Sequence, residues 1–162
     1  IEKYGVEKFA SAIKEHGGSG VIHPDITIEE SSGWLAAAGA NGINPIYVVA
    51  PSTSNERLAK VTSLAGGFVY AASIMGVTGA RTSVSSGAED LVGRVKAVTD
   101  LPVAVGLGVS TREQAKDVAG YADGVIVGSA FVKAILDAPT IDEGLAAVTA
   151  LARELSLGVR GQ

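Results

Sequence analysis

The sequence contains no cysteine, which excludes disulfide bonds and thiolate metal sites. Aromatic residues are also scarce, at 5% of the 162 residues, and there is one tryptophan and one methionine. Hydrophobic residues nevertheless make up 47% of the chain, so the core must be built mainly from aliphatic residues and alanine. The missing cysteines fit a cytoplasmic protein, which is the location that we expect.

Long apolar runs and concentrated positive charge are absent as well. No run approaches the length needed to cross a bilayer, and the opening IEKY lacks the character of a secretion signal. The 13 lysines and arginines are scattered and outnumbered by 17 acidic residues, which argues against nucleic acid and anionic membranes as partners. The two histidines are too few to indicate a metal site. A small molecule or another protein remains as the expected partner.

Apolar strand patterns alternate with helical patterns along the whole chain. Strands are predicted at residues 20–23, 46–50, 68–72, 103–105 and 124–127. Helices are predicted at residues 2–15, 28–40, 54–64, 88–98, 111–121, 130–136 and 141–155. Ser54 and Thr111 are predicted to cap the third and fifth of these helices. Single helices between strands imply parallel pairing with right-handed crossovers, so the sequence predicts an α/β fold in one domain, residues 1–162.

Two architectures accept this alternation, an open doubly wound sheet and a (β/α)8 TIM barrel. The open sheet most often carries G-x-G-x-x-G after its first strand, and that motif is missing. Glycines instead follow the last two predicted strands, and barrels form their usual phosphate site after strands 7 and 8 with a short extra helix such as 130–136. We therefore predict that the chain carries barrel strands 4–8 and lacks strands 1–3.

That assignment leaves two open sheet edges and an uncovered barrel interior. In each strand, one residue or the one next to it is expected to face the barrel interior. The residues concerned are Val21, Val48, Val69, Val105 and Ile126. We expect these 162 residues alone neither to persist as a well-behaved monomer nor to be catalytically active.

The stretch VIVGSAFV, residues 125–132, is the clearest candidate for binding an anion. A continuous apolar run ends there at Gly128 and Ser129, which are predicted to open a helix. A helix N-terminus carries about half a positive charge and unpaired N–H groups, both of which suit a phosphate. The alternative is a tight turn with a serine cap.

Several segments, in order and at the family's spacing, resemble the tryptophan synthase alpha subunit. They are IEKYG at 1–5, Pro24-Asp25 followed by Glu29-Glu30, FVYAASIMGVTGA at 68–80, VGLGVS at 105–110 and VGSA at 127–130. The resemblance implies a lyase of tryptophan biosynthesis that splits indole-3-glycerol phosphate into indole and glyceraldehyde 3-phosphate without a cofactor. It also implies a beta subunit, in a heterotetramer, that receives the indole.

The same resemblance implies roles for individual residues. The substrate phosphate ligands would be Gly79, Gly108, Gly128 and Ser129. Tyr70 would lie beside the glycerol chain, although a barrel-core aromatic is an equal alternative, and Thr78 would hydrogen-bond a catalytic aspartate when a lid at 73–88 closes. Asp25, at the end of the first predicted strand, is a candidate polar liner.

The principal acid and base of the family, a glutamate and an aspartate, belong to barrel strand 2 and its loop, outside the predicted strands. A Schiff-base aldolase is disfavoured because Lys60, Lys96, Lys116 and Lys133 all fall on predicted helices.

Two other functions remain open. One is another phosphate-sugar barrel such as an isomerase, although the segment 48–51 carries no acidic residue. The other is a noncatalytic phosphate-binding partner that regulates a beta subunit.

Overall fold

The computed structural model describes residues 1–72, 84–106 and 108–162, and for residues 84–86 the backbone only. The helices are α1 Val6–Glu15, α2 Ser32–Asn41, α3 Asn55–Leu64, α4 Val84–Lys96, α5 Arg112–Ala119, α6 Ser129–Leu136 and α7 Ile141–Val159. The strands are β1 Gly20–Ile22, β2 Asn44–Ile46, β3 Val48–Val49, β4 Val69–Ala72, β5 Val103–Gly106 and β6 Gly124–Ile126. Within these ranges, each helix is too short or too polar to span a membrane.

Every pairing between the described strands is parallel, and neighbouring strands follow one another in chain order. The predicted strand at 46–50 is in fact two short strands that meet at Tyr47. The first, β2, pairs with β1, and the second, β3, pairs with β4, so the segment changes its partner at this point. The Tyr47 carbonyl accepts a hydrogen bond from the Tyr70 amide at 3.0 Å, which carries the sheet across the interruption.

Two helices begin later than predicted because local hydrogen bonds hold their first residues in turns. The Tyr4 amide donates to the Ile1 carbonyl at 3.0 Å, and Gly5 has φ 95°, so α1 starts at residue 6 instead of 2. Before α2, the Thr27 hydroxyl donates to Glu30 at 2.8 Å and shapes a turn. The predicted caps of the next helices are confirmed, because the Ser54 side chain accepts from the Arg57 amide and Thr111 forms a capping box with Gln114.

The register divides the sheet into an outer face under the helices and an inner face. Val69 and Val105 are buried at 0% and 2% exposure in the core with α3 and α4, so at these two positions the prediction holds for the neighbours and not for the valines themselves. The side chains alternate along each strand, so their neighbours face inward instead. The inner face comprises Val48, Tyr70, Ala72, Ala104 and Ile126.

Asp123, directly before β6, fixes the amino ends of β5 and β6. Its carboxylate accepts from the Val103 amide and from the Lys96 ammonium, each at 2.9 Å. These two donors, the amide first, lower the pKa of Asp123. The side chain therefore stabilises the face opposite to the one where barrel active sites lie.

Candidate functional site

The carboxyl ends of β4, β5 and β6 lie at one level of the sheet. The register pairs Ala72 with Gly106 and Gly106 with Ile126, so the carboxyl ends of the three strands lie side by side. Gly108 and Gly128, predicted to act together, come from the loops that follow two of these strands. In parallel barrels this edge carries the active site.

Tyr70 leans from β4 toward this edge and lies over Gly106 of β5. A Cβ placed on Gly106 would overlap the hydroxyl and the ring of Tyr70, so the missing side chain is what makes room for the tyrosine. The residue is half-buried on the inner face, near the position expected for a group beside a ligand. Sequence reasoning noticed Gly106 only as part of a glycine pair, because its contact with Tyr70 arises from strand pairing.

Gly128 caps α6, and Ser129 is the first residue of that helix, within one residue of the predicted starts at 128 and 130. The Gly128 carbonyl accepts from the Phe131 amide at 3.0 Å and the Val132 amide at 3.2 Å, which are ordinary first-turn bonds. Within the described ranges, the amides of Ser129 and Ala130 find no acceptor. The N-cap residue is Gly128, which has no side chain, so the alternative of a serine cap is wrong.

Gly108 is exposed and has φ +59°, the left-handed region that favours glycine. The position that a Cβ would occupy has no heavy atom within 4 Å among the described residues, so its surroundings are open. Val109 beside it is buried and anchors the loop to the core. The loop therefore presents a fixed, open backbone at the carboxyl edge.

Two predicted site residues, Thr78 and Gly79, lie outside the described residues, as does most of the predicted lid. Residues 84–88 of that lid belong to α4, which begins at Val84, so the predicted start of this helix at residue 88 was four residues late. Lys60, Lys96, Lys116 and Lys133 all lie on helices, as predicted.

Asp25 is exposed in the turn after β1. Its strand pairs with β2, and β4 follows only after β3, so the sheet order separates Asp25 from the strand that carries Tyr70. His23 beside it packs edge-on against Trp34, with ring centroids 6.4 Å apart. Asp25 is thus positioned as a rim residue, and His23 as a packing residue.

Two arginines fasten the neighbouring loops, and sequence reasoning missed both. Arg57 makes a two-pronged ion pair with Glu29, with both N–O distances 2.9 Å, and this hydrogen bonding lowers the pKa of Glu29 to about 2. Arg94 of α4 donates to Asn55 at 2.7 Å, to the Pro51 carbonyl at 3.1 Å and to the Thr53 carbonyl. The loop after β3 is thereby tied to α4. No sequence signal marks these pairs, which span 28 and about 40 residues.

Histidine and carboxylate side chains do not cluster in groups of three or more in the described part of the chain. The candidate site in this part of the chain is thus defined by backbone amides and Tyr70.

A family model described as tryptophan synthase alpha chain matches residues 1–159. The chain belongs to this family. The alpha chain of Streptomyces coelicolor is 57% identical over 162 residues, which is 100% of this chain and 60% of that protein. The alpha chain of Acidothermus cellulolyticus is 52% identical over 160 residues, which is 99% of this chain and 59% of that protein. The chain thus spans about 60% of the length of these curated relatives.

Solved structures give the same result. A tryptophan synthase structure from Mycobacterium tuberculosis in space group F222 superposes with a TM-score of 0.86 at 51% identity, covering 99% of this chain and 59% of that one. The tryptophan synthase alpha subunit of Legionella pneumophila gives a TM-score of 0.86 at 31% identity, covering 100% and 60%. The parallel α/β arrangement is therefore part of a TIM barrel, and the predicted fold class is confirmed.

Proposed function

We propose that this chain forms the phosphate-binding portion of a lyase that cleaves indole-3-glycerol phosphate to indole and glyceraldehyde 3-phosphate. The observation that carries the proposal is the juxtaposition of Gly108 with Gly128 and Ser129 at the carboxyl ends of two paired strands. Family membership selects this substrate among the phosphate esters that such a site accepts.

Backbone amides bind the phosphate in this proposal. The amides of Ser129 and Ala130 lie in the first turn of α6, where the helix dipole favours a dianion. Gly108 offers backbone from the adjacent loop without a side chain in the way. Gly79 is included among the proposed phosphate ligands only because of the family resemblance.

Tyr70 lies beside the glycerol chain of the bound substrate in this proposal. Its ring crosses from β4 to β5 over Gly106 and so occupies the same edge as the phosphate site. Asp25 contributes only to the rim, on the far side of the sheet. Thr78 belongs to the lid and, by the family resemblance, hydrogen-bonds the catalytic aspartate of barrel strand 2 and its loop.

The chemistry is acid–base catalysis. An acid protonates indole C3 while a base accepts a hydrogen bond from the indole N–H, which keeps its proton. The bond from C3 to the glycerol chain then breaks and its electron pair restores the aromatic indole ring. The hydroxyl on the released carbon gives its proton to the carboxylate that protonated C3, which leaves the aldehyde. The glutamate and aspartate that the family resemblance assigns to these steps belong to barrel strand 2 and its loop. We therefore expect this chain to bind phosphate esters but to lack turnover by itself, and a beta subunit to take up the indole.

The test is a calorimetric titration with glycerol 3-phosphate, made on these residues joined to the remaining 40% of the Streptomyces coelicolor alpha chain. Ser129→Asp places a fixed negative charge at the start of α6 and should weaken binding at least tenfold, whereas Thr149→Asp, the same charge on exposed α7, should leave it unchanged. Joining these residues to the remaining 40% of the Streptomyces coelicolor alpha chain should give indole release. Equal affinity in both aspartate variants, or a joined protein that binds without releasing indole, would contradict the proposal.

A further inference from the structure

The three asparagines of the chain differ in the residue that follows each of them. The next residue is a glycine for Asn41, a proline for Asn44 and a glutamate for Asn55. An asparagine side chain is open to attack by the amide nitrogen of the next residue, and a glycine leaves that nitrogen unhindered because it has no side chain. A proline has no N–H to lose in such an attack. Asn41 is therefore the asparagine with the most reactive neighbour.

The glycine after Asn41 suits the way in which α2 ends. Gly42 has φ +66°, the left-handed region that favours glycine. Its amide donates to the Gly39 carbonyl at 3.2 Å, and the Ile43 amide donates to the Ala38 carbonyl at 2.9 Å. These two bonds form a Schellman cap, in which the residue after the glycine is anchored on the last turn. Ile43 and Ala38 are buried in one apolar cluster, so the cap is closed by packing as well as by hydrogen bonds.

The closed cap keeps the two groups that would react apart. The side-chain nitrogen of Asn41 donates to the Ala37 carbonyl at 2.9 Å, so the side chain points back along the helix. The Gly42 nitrogen, which comes after Asn41, is occupied by its bond to Gly39. Ring closure between the two needs both bonds to break and the Asn41 side chain to turn toward the following residue.

We infer that Asn41 is a site of spontaneous deamidation that reacts only when the cap of α2 opens. In the open form the Gly42 nitrogen loses its proton and attacks Cγ of Asn41. The new C–N bond closes a succinimide ring, the bond from Cγ to Nδ2 breaks, and Nδ2 leaves as ammonia with that proton. Water then opens the ring at either carbonyl, which gives aspartate or isoaspartate. The inference concerns the covalent integrity of the chain and is independent of the proposed lyase activity.

The product disfavours closure of the cap. A carboxylate at residue 41 cannot donate to the Ala37 carbonyl, and its charge lies at the helix end where the dipole disfavours an anion. Ile43 leads directly into β2, where the Asn44 amide donates to the Ser19 carbonyl at 2.9 Å. An open cap therefore loosens the connection between α2 and the strand that pairs with β1.

The experiment uses these residues joined to the remaining 40% of the Streptomyces coelicolor alpha chain. The joined protein is kept at neutral pH, either native or in guanidinium chloride, and peptide mapping by mass spectrometry follows the three asparagines with time. Asn41 should give aspartate and isoaspartate at least about tenfold more slowly in the native protein than in the denatured one, because opening the cap costs free energy. Asn44 and Asn55 should stay intact in both. Equal rates at Asn41 in the two states, or no reaction of Asn41 in the denatured protein, would overturn the inference.

Two measurements separate opening of the cap from unfolding of the whole protein. Hydrogen exchange of the Ile43 amide gives the open fraction, and this fraction multiplied by the denatured rate should match the native rate within about threefold. Ile43→Ala removes the buried anchor of the cap and should raise the native rate at least about tenfold, whereas Leu58→Ala, a similar truncation of a buried residue on α3, should leave it unchanged. An equal rise in both variants, or a native rate that does not follow the exchange of Ile43, would assign the reaction to global unfolding and overturn the inference.

Asn41→Asp reproduces the product and should speed exchange of the Ile43 amide at least about threefold. Asn55→Asp is the matched control, because it makes the same change at the start of α3, where a negative charge suits the dipole. It should leave that exchange unchanged. Equal exchange in wild type and Asn41→Asp would contradict the effect assigned to the product.

Discussion

Substituting Gly106 by alanine should destabilise the chain through a steric conflict with Tyr70. The added methyl group would occupy the space of the tyrosine hydroxyl and ring, so either the ring must leave its position or the two strands must separate. Overpacking of this kind costs about 1–3 kcal/mol in a well-packed site. We expect the free energy of unfolding to fall by that amount. The slope of this free energy against urea concentration should stay the same.

A double-mutant cycle assigns the effect to this contact. In a Tyr70→Ala background the space is empty, so Gly106→Ala should then be nearly neutral, giving a coupling energy of about 1–3 kcal/mol. Gly93→Ala is the matched control, because a Cβ at this position of α4 meets nothing within 4 Å in the described structure and should stabilise the helix by about 0.5–1 kcal/mol. If Gly106→Ala destabilises equally with and without the Tyr70 ring, the tyrosine does not lie over this glycine and our account of the site is wrong.

Three other substitutions test the packing and the electrostatics. The buried Tyr47 hydroxyl has no hydrogen-bond partner within the described ranges, so Tyr47→Phe should leave stability unchanged or raise it by about 1 kcal/mol in urea unfolding, and a clear loss would indicate a partner. Gly158→Ala should destabilise by more than about 2 kcal/mol, because a Cβ there would collide with the backbone of α5, whereas Gly144→Ala on the same helix makes only ordinary contacts and should be tolerated; equal effects would refute this packing. The folded pKa of Asp123 is lowered from 3.8, so its stabilisation is present above that pH and is lost as the pH falls through the lowered pKa. The stability difference between wild type and Asp123→Asn should therefore shrink below about pH 4, and a constant difference would contradict the assignment.

Local chemistry made much of the fold predictable from the sequence. Ser54 and Thr111 are good helix caps directly before helical patterns, and both cap helices as predicted. The continuous apolar run before Gly128 gave the position of β6 and the start of α6 to within one residue. These features depend on neighbours in the sequence, so a pattern contains the necessary information.

The predictions failed where contacts between residues far apart in the sequence determine the structure. The segment 44–49 became two strands because each part pairs with a different neighbour, which no local pattern reveals. Val69 and Val105 face the helices because α3 and α4 pack on that side of the sheet, a choice that alternation alone leaves open. The Tyr70 position over Gly106 and the Arg94 contacts are also products of pairing across the fold.

The most direct test of the account is an amide chemical-shift titration with glycerol 3-phosphate, made on these residues joined to the remaining 40% of the Streptomyces coelicolor alpha chain. Binding at the carboxyl ends of β5 and β6 should move the resonances of Gly108, Gly128, Ser129 and Ala130 together, with one dissociation constant, and inorganic sulfate should compete. The amide resonances of β1, which lies at the opposite end of the strand order, should not shift. Shifts confined to other surfaces, or none at these four amides at saturating ligand, would contradict the claim that this edge is the phosphate site.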